Sequence, residues 1–214
     1  MRVGQVLRMS FRDFYDNSWR LLPLNAALGL VLVFVAFATL VVHLAIVLVV
    51  LAGPIAAALV HCAVVLVRDG SVTFADARDG LRLHWKRGLA LGACGAVLIG
   101  LALLAVVFYS RSPLLWPLAF CTVYVLILLG LYQIVFWTLA IAEPGRPLRA
   151  AAREAALLAA RRPGAALLLG LALLLVNAVG IAAAVMPFLT LTIAYTFIAA
   201  AHFALPRSTS EARP

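Results

Sequence analysis

Long stretches of the chain contain no charged residue, and their lengths are those of membrane helices. Asp, Glu, Lys and Arg are absent from Leu21–Val67, Gly88–Ser110, Pro113–Ala142 and Pro163–Pro206. A helix of about 20 apolar residues spans the roughly 30 Å hydrocarbon layer. Each of the two shorter blocks therefore predicts one crossing, and each of the two longer blocks predicts a helical hairpin. Together they predict six transmembrane helices.

Helices are favoured over strands because a membrane barrel needs segments of about ten residues that alternate between apolar and polar side chains. The four blocks do not alternate. The predicted fold class is therefore all-α, a polytopic membrane helical bundle formed by one domain over residues 1–214. Met186-Pro187 predicts the hinge of the second hairpin, because proline cannot continue the backbone hydrogen-bond ladder. The turn of the first hairpin, within residues 21–67, is not fixed by the pattern.

Three charged segments flank these blocks and have the pattern of amphipathic interfacial helices. They cover residues 1–20, 71–87 and 144–162, and residues 207–214 form a tail. Apolar residues recur at helical spacing in each segment: Val3, Leu7, Phe11 and Phe14 in the first, Phe74, Ala77, Leu81 and Trp85 in the second, and Leu148, Ala151, Ala155 and Leu158 in the third. Thr73 and Asp76 predict a capping box at the start of the second.

Two further patterns have competing interpretations. Ala36-Phe37-Ala38 resembles a signal-peptide cleavage site, but two Asp precede it and the apolar run continues beyond it, so a membrane helix is the favoured interpretation. Each amphipathic segment is also followed by a helical pair, which divides the chain into three similar units. Coincidence in a Leu- and Ala-rich chain explains that similarity equally well.

Composition and charge placement agree with a membrane protein. The chain is 66% hydrophobic and 12% charged, whereas soluble domains are about 25% charged. With six crossings, 16 of the 17 Lys and Arg fall on the side of the termini, and Arg111 falls opposite. The positive-inside rule then places both termini in the cytoplasm. We attribute the net charge of +9 to contacts with anionic lipid headgroups, and we expect no nucleic-acid partner.

Small residues in two places predict close helix packing. Gly88, Gly92, Ala96 and Gly100 are spaced four apart and form a smooth stripe, which favours packing within the bundle over contact with a second copy in a homo-oligomer. Gly53-Pro54 predicts a kink or a start of the second crossing. Pro54 frees a carbonyl there, which is expected to line a cavity or to meet a polar neighbour.

The sequence offers little that could perform chemistry. His61 adjoins Cys62, but no third ligand is near, so an interhelical hydrogen bond is favoured over a metal site. We expect no catalytic residues, no metal and no cofactor, and therefore no enzyme. Uncharged polar residues either line a substrate path or form interhelical hydrogen bonds; they are Asn25, Gln133, Asn177, Thr190, Thr192, Tyr195 and Thr196.

The basic faces of the amphipathic segments are the candidate contacts with lipid or with a protein partner. Their residues are Arg78, Arg82, Lys86, Arg87, Arg149, Arg153, Arg161 and Arg162.

Several motifs resemble the YesL-like family of bacterial membrane proteins, a family of unknown function, and the resemblance covers most of the chain. They are Phe14–Asn25, the Gly-Pro-x-x-Ala-Ala core at Gly53–Ala58, the basic stretch Val67–Gly70, and Phe74–Gly88 with Trp85-Lys86-Arg87. The resemblance implies a small protein of the bacterial inner membrane, often encoded near carbohydrate ABC importers. It carries no catalytic residues over to this chain.

The leading hypothesis is a non-enzymatic membrane component that acts as an accessory or regulatory partner of a carbohydrate ABC uptake system, through its basic cytoplasmic helices. The alternative is a small autonomous transporter or channel for a small solute, with a polar path beside Gly53-Pro54.

Overall fold

The computed structural model describes residues 3–42, 48–182 and 191–205, and these form an all-α bundle. Seven α-helices follow one another: α1 Val3–Val41, α2 Val49–Asp69, α3 Phe74–Tyr109, α4 Trp116–Ala142, α5 Leu148–Arg161, α6 Pro163–Ala182 and α7 Ile193–Ala204. A short 3-10 turn at Pro113–Leu115 precedes α4. No strand occurs within these described ranges, so the predicted fold class is confirmed.

Five of the helices are long and apolar enough to cross a membrane, namely α1, α2, α3, α4 and α6. The sixth predicted crossing corresponds to α7, a shorter apolar helix of 12 residues. Residues 183–190, with the predicted hinge Met186-Pro187 and with Thr190, lie outside the described residues. The connection at residues 43–47 and the tail 207–214 also lie outside them. The number six therefore stays a prediction.

Two of the predicted interfacial helices are continuous with the membrane helices that follow them. Residues 3–20 form the first half of α1, and residues 74–87 form the first half of α3. The helix ends expected at residues 20 and 87 are therefore absent. Helix α1 continues through Pro23, and Gly88 lies inside α3 as a packing residue. The predicted capping box at Thr73 and Asp76 is present, and it starts α3 at the expected place. The third segment is a separate helix, α5.

Contacts of α7 require a bend in α1. The Tyr195 hydroxyl donates to the Leu7 carbonyl over 3.2 Å, while the backbone N–H of the adjacent Ala194 donates to Asn25 Oδ1 over 2.9 Å. Leu7 and Asn25 would lie about 27 Å apart along a straight helix, which one tyrosine side chain does not bridge. Pro23 lies in this interval, and proline is the usual cause of a sharp helix kink.

Helix α2 lies at the centre of the bundle. Its residues Ala57, Ala58 and Val60 are fully buried, and two hydrophobic clusters meet along it, one shared with α1 and α7 and the other with α4 and α5. In contrast, α3, α4 and α6 carry long apolar side chains on their outer faces, for example Leu104, Phe120 and Leu171. Such an exposed apolar surface is typical of helices that face lipid.

Candidate functional site

Glycines bring α2 and α3 into backbone contact. A Cβ atom added at Gly53 would lie 2.2 Å from the Gly88 carbonyl oxygen, and one added at Gly88 would lie 2.7 Å from the Gly53 oxygen. Real side chains do not tolerate such distances, so only glycine fits either position. The predicted packing within the bundle is therefore confirmed at Gly88 and Gly92. At Gly100 an added Cβ would meet no described atom within 4 Å, so packing there stays a prediction.

Pro54 lies in the second turn of α2, and the helix continues past it. Because proline has no N–H, the Val50 carbonyl four residues earlier receives no helical hydrogen bond from it. The freed carbonyl faces α3: a Cβ added at Gly92 would lie 3.1 Å from the Val50 oxygen. The predicted break at Gly53-Pro54 is thus a contact point between helices that lies close to the start of α2.

His61 of α2 and His84 of α3 form an interhelical hydrogen bond. His61 Nδ1 lies 3.3 Å from His84 Nε2, and the two ring centroids are 5.1 Å apart. This confirms the interpretation of His61 as a residue bonded to a neighbouring helix. Sequence reasoning missed His84 as its partner, although Gly80, His84 and Gly88 share one helix face by their spacing of four.

The described residues around His61 and His84 do not form a metal site. Cys62 next to His61 is buried and free. Within the described part of the chain, no three His, Cys, Asp or Glu side chains come together in a group able to hold a metal ion. The pair therefore joins two helices.

The face of α3 that packs against α2 is distinct from the apolar face of its amphipathic pattern. Phe74, Leu81 and Trp85 are exposed, and the face against α2 consists of small or polar residues instead, with Gly80, His84 and Gly88 buried. Close backbone approach decides this, because bulky side chains would hold α2 away from α3. In α5 the prediction is confirmed at Ala151 and Ala155, which are buried.

Arg87 differs from the other candidate basic residues because its guanidinium group binds the end of α4. Nη1 donates to the carbonyls of Ala140 over 2.6 Å and Glu143 over 3.0 Å, and Nη2 donates to the carbonyl of Arg146. The last carbonyls of a helix lack helical partners, so Arg87 closes the C-terminus of α4. Its predicted role as a lipid or partner contact is therefore replaced by a structural one.

The remaining basic candidates are exposed and available at the surface. Arg78, Arg82 and Lys86 belong to α3, Arg149, Arg153 and Arg161 belong to α5, and Arg162 follows it. We call these seven residues the basic surface. Trp85 is exposed beside Lys86, whose ammonium group lies 5.4 Å from the centre of the indole ring.

An open cavity of about 560 Å³ lies between the helices, beside Gly53. We call it the bundle cavity. Five helices supply its apolar wall, and Ala96 of the predicted stripe belongs to it. The cavity also brings together three polar residues from different helices, namely Gln133 of α4, Asn177 of α6 and Thr196 of α7. Asn177 Nδ2 donates to Thr196 Oγ1 over 2.8 Å.

Comparison with known proteins identified no relative of this chain. No family model matches the chain, and neither a curated protein nor a solved structure matches it. Membership of the YesL-like family therefore stays a prediction, and function has to be argued from the basic surface and the bundle cavity.

Proposed function

We propose that this chain is a non-enzymatic integral membrane protein that serves as an accessory or regulatory partner of a carbohydrate ABC uptake system. The observation that carries the proposal is the basic surface with Phe74, Leu81 and Trp85 exposed beside it. Arginine and aromatic side chains dominate the binding energy of protein interfaces, so this combination favours a protein partner. The importer class itself comes from the resemblance to the YesL-like family.

The depth of this surface follows from how α2 and α3 pair. The helices are antiparallel, since Gly53 lies against Gly88 and His61 lies against Gly80. A charge at the bilayer centre costs about 3 kcal/mol on insertion scales, so the segment that carries Arg78, Arg82 and Lys86 belongs outside the hydrocarbon. The part of α2 packed against it belongs there as well. We infer that residues 57–87 form a helical platform outside the hydrocarbon layer, on the cytoplasmic face by the positive-inside rule.

The platform is held by contacts that do not involve the basic surface. Gly53 and Gly88 fix one end, and Arg20 donates from Nη1 to the Val72 carbonyl over 2.7 Å at the other. Arg87 ties the same segment to α4. A preorganised surface loses little conformational entropy when a partner binds, which suits a docking role.

The test is copurification from native membranes in mild detergent after crosslinking. The wild-type protein is compared with a variant that carries Arg78→Gln, Arg82→Gln, Arg149→Gln and Arg153→Gln, and with an Arg111→Gln control that removes a basic charge outside this surface. Recovery of importer subunits with the wild type and the control, and their loss with the quadruple variant, supports the proposal. Recovery of the protein alone in all three cases overturns it, and so does importer recovery that the four substitutions leave unchanged.

The bundle cavity favours a second candidate function, an autonomous transporter or channel for a small solute. It lies beside Gly53, and Gln133, Asn177 and Thr196 face the same space. The test is uptake of radiolabelled sugars into liposomes that contain only the purified protein. Uptake above empty liposomes supports autonomous transport and contradicts the accessory role; no uptake together with importer copurification supports the accessory role.

A further inference from the structure

We propose that an open groove along α6 holds one anionic phospholipid, with its phosphate group at Arg161 and Arg162 and one acyl chain between the helices. We call this site the α6 groove, and its volume is about 290 Å³. The inference does not depend on the accessory function, because a regulatory partner and a transporter could both hold such a lipid.

The α6 groove is elongated and follows one face of the helix. Its wall on this side consists of small and apolar residues at a spacing of three and four, which places them on one helix face: Pro163, Ala166, Leu167, Gly170 and Leu173. Pro163 and Leu173 are separated by about 15 Å along a helix of this length. Helices α4, α5 and α7 supply the other walls. An extended acyl chain has this shape.

The wall of the groove is apolar. None of the described residues that line it is Asp, Glu, Lys, Arg or His. Tyr132 is the polar side chain among them, and its hydroxyl group donates to the Ala152 carbonyl over 2.9 Å. A charged or strongly polar group within the groove would therefore be desolvated without a partner, which is unfavourable. The part of the ligand between the helices is hydrocarbon.

Positive charge lies at one end of the groove. Arg161 and Arg162 directly precede Pro163, and both are exposed. Neither guanidinium group forms a hydrogen bond or an ion pair with any described residue, and Glu154 of the same helix α5 is paired with Arg146 instead. Two adjacent guanidinium groups without a counter-charge suit a phosphate group, which arginine can bind through two parallel hydrogen bonds.

The two ends of the groove match the two ends of a phospholipid in depth. Pro163 begins the uncharged block Pro163–Pro206, and α6 is long and apolar enough to cross the membrane. Because lipid hydrocarbon excludes charge, Arg161 and Arg162 lie at the level of the headgroups, and the groove enters the hydrocarbon toward Leu173. Basic pockets beside membrane helices on the cytoplasmic side bind anionic headgroups in the same way.

Other occupants satisfy only one end of the groove. A small soluble anion would pair with the arginines and leave the apolar wall without a ligand. A lipid without net charge would fill the apolar wall and leave both guanidinium groups without a counter-charge. An anionic phospholipid of the bilayer satisfies both ends.

The experiment is native mass spectrometry of the delipidated full-length protein, titrated with phosphatidylglycerol or with phosphatidylcholine of the same acyl chains. Arg161→Gln with Arg162→Gln removes the charged end, and Arg161→Lys with Arg162→Lys keeps its charge. Arg78→Gln with Arg82→Gln is the matched control, because it removes the same number of charges from the platform. Each variant is first checked for a monodisperse size-exclusion profile.

A second pair of variants tests the apolar part. Ala166→Phe fills the groove, whereas Ala178→Phe places the same side chain on the exposed face of α6, away from the groove. Excess glycerol 3-phosphate, which has the phosphate group but no acyl chain, serves as competitor.

We expect the wild type to bind one phosphatidylglycerol on the order of tenfold more tightly than phosphatidylcholine. The two Gln substitutions at Arg161 and Arg162 should abolish this preference, the two Lys substitutions should keep most of it, and the control at Arg78 and Arg82 should leave it unchanged. Ala166→Phe should weaken binding of phosphatidylglycerol, and Ala178→Phe and glycerol 3-phosphate should not.

Equal affinity for the two lipids would overturn the proposal, and so would a preference that the control at Arg78 and Arg82 reduces as much, because both results indicate diffuse attraction to the whole basic surface. Displacement by glycerol 3-phosphate would reduce the site to a phosphate contact without an acyl chain and would also overturn it. If Ala166→Phe does not fold, the arginine variants and the competitor provide the decision. Because no importer is present in this assay, failure of the lipid site and failure of the accessory function are distinguishable.

Discussion

The imidazole ring of His61 in α2 occupies the space above Gly80 in α3. A Cβ atom added at Gly80 would lie 2.9 Å from His61 Cδ2 and 3.0 Å from its Cβ. Because the His61 Cβ is fixed to the backbone of α2, the ring cannot simply swing away. The space for a side chain at position 80 therefore depends on which side chain occupies position 61.

A size-swap experiment tests this relationship. Gly80→Ala in the wild type should lower the free energy of unfolding by about 1–3 kcal/mol, the usual cost of overpacking. In a His61→Gly background the same substitution should cost far less, because both the ring and the Cβ that it would strike are gone. Thermal unfolding of the four proteins in detergent gives the comparison. Equal losses in both backgrounds would show that His61 and Gly80 do not compete for space.

Glycine-to-alanine substitutions should change the stability of the bundle in different directions, depending on whether the glycine takes part in the contact between Gly53 and Gly88. Gly53→Ala or Gly88→Ala should destabilise the bundle by more than the usual overpacking cost, since the added Cβ would meet backbone atoms, which cannot rotate aside. Gly100→Ala lies in the same helix as Gly88 but in open space. It should be neutral or stabilise by about 0.5–1 kcal/mol, because alanine is the better helix former.

The readout for this series is the melting temperature of each purified variant, followed by tryptophan fluorescence. Destabilisation by Gly100→Ala as large as that by Gly88→Ala would mean that the stripe packs along its whole length, for example against a second copy. That outcome would favour a homo-oligomer.

The sequence predicted the apolar helices but not the face by which α3 packs on α2. Missing charges identified the membrane blocks, because lipid excludes charge wherever it lies. Hydropathy could not find the face by which α3 packs on α2, since backbone contact at Gly88 and the His61 side chain against Gly80 decide which face packs.

The basic surface and the bundle cavity differ in how far the sequence predicts them. Exposure of the basic side chains in α5 follows from the amphipathic pattern of one helix. The bundle cavity joins Gln133, Asn177 and Thr196 from three helices, and only their packing brings these residues together. Arg87 carries the same charge as Arg82, and only the position of the α4 terminus separates their roles.

Arg87 should matter for stability, whereas its neighbour Lys86 should not. Arg87→Ala leaves the carbonyls of Ala140 and Glu143 without their donor, and hydrogen bonds to a charged group contribute about 1.5–3 kcal/mol. Arg87→Lys should recover part of this loss, because an ammonium group cannot reproduce the fork of the guanidinium group. Lys86→Ala is the control, with an expected change below about 0.5 kcal/mol for a surface site.

Unfolding in a denaturant series in detergent would measure these differences. If Arg87→Ala and Lys86→Ala lose the same stability, the cap on α4 contributes nothing beyond a surface charge, and Arg87 returns to the set of candidate partner contacts.

Cysteine accessibility tests the depth of the helical platform. In a background with Cys62, Cys94 and Cys121 replaced by alanine, single cysteines are placed at Leu83 and Leu104, which are 62% and 66% exposed on the same helix α3. Leu83 lies among the charges of the platform, and Leu104 lies in the uncharged half. The proposed orientation places the platform on the cytoplasmic face, so a membrane-impermeant maleimide should label Leu83→Cys in inside-out vesicles and not in intact cells. Leu104→Cys should stay unlabelled in both, since a thiol in hydrocarbon does not form the reactive thiolate. Labelling of Leu83→Cys in intact cells would invert the topology, and no labelling from either side would place the charged half of α3 inside the bilayer.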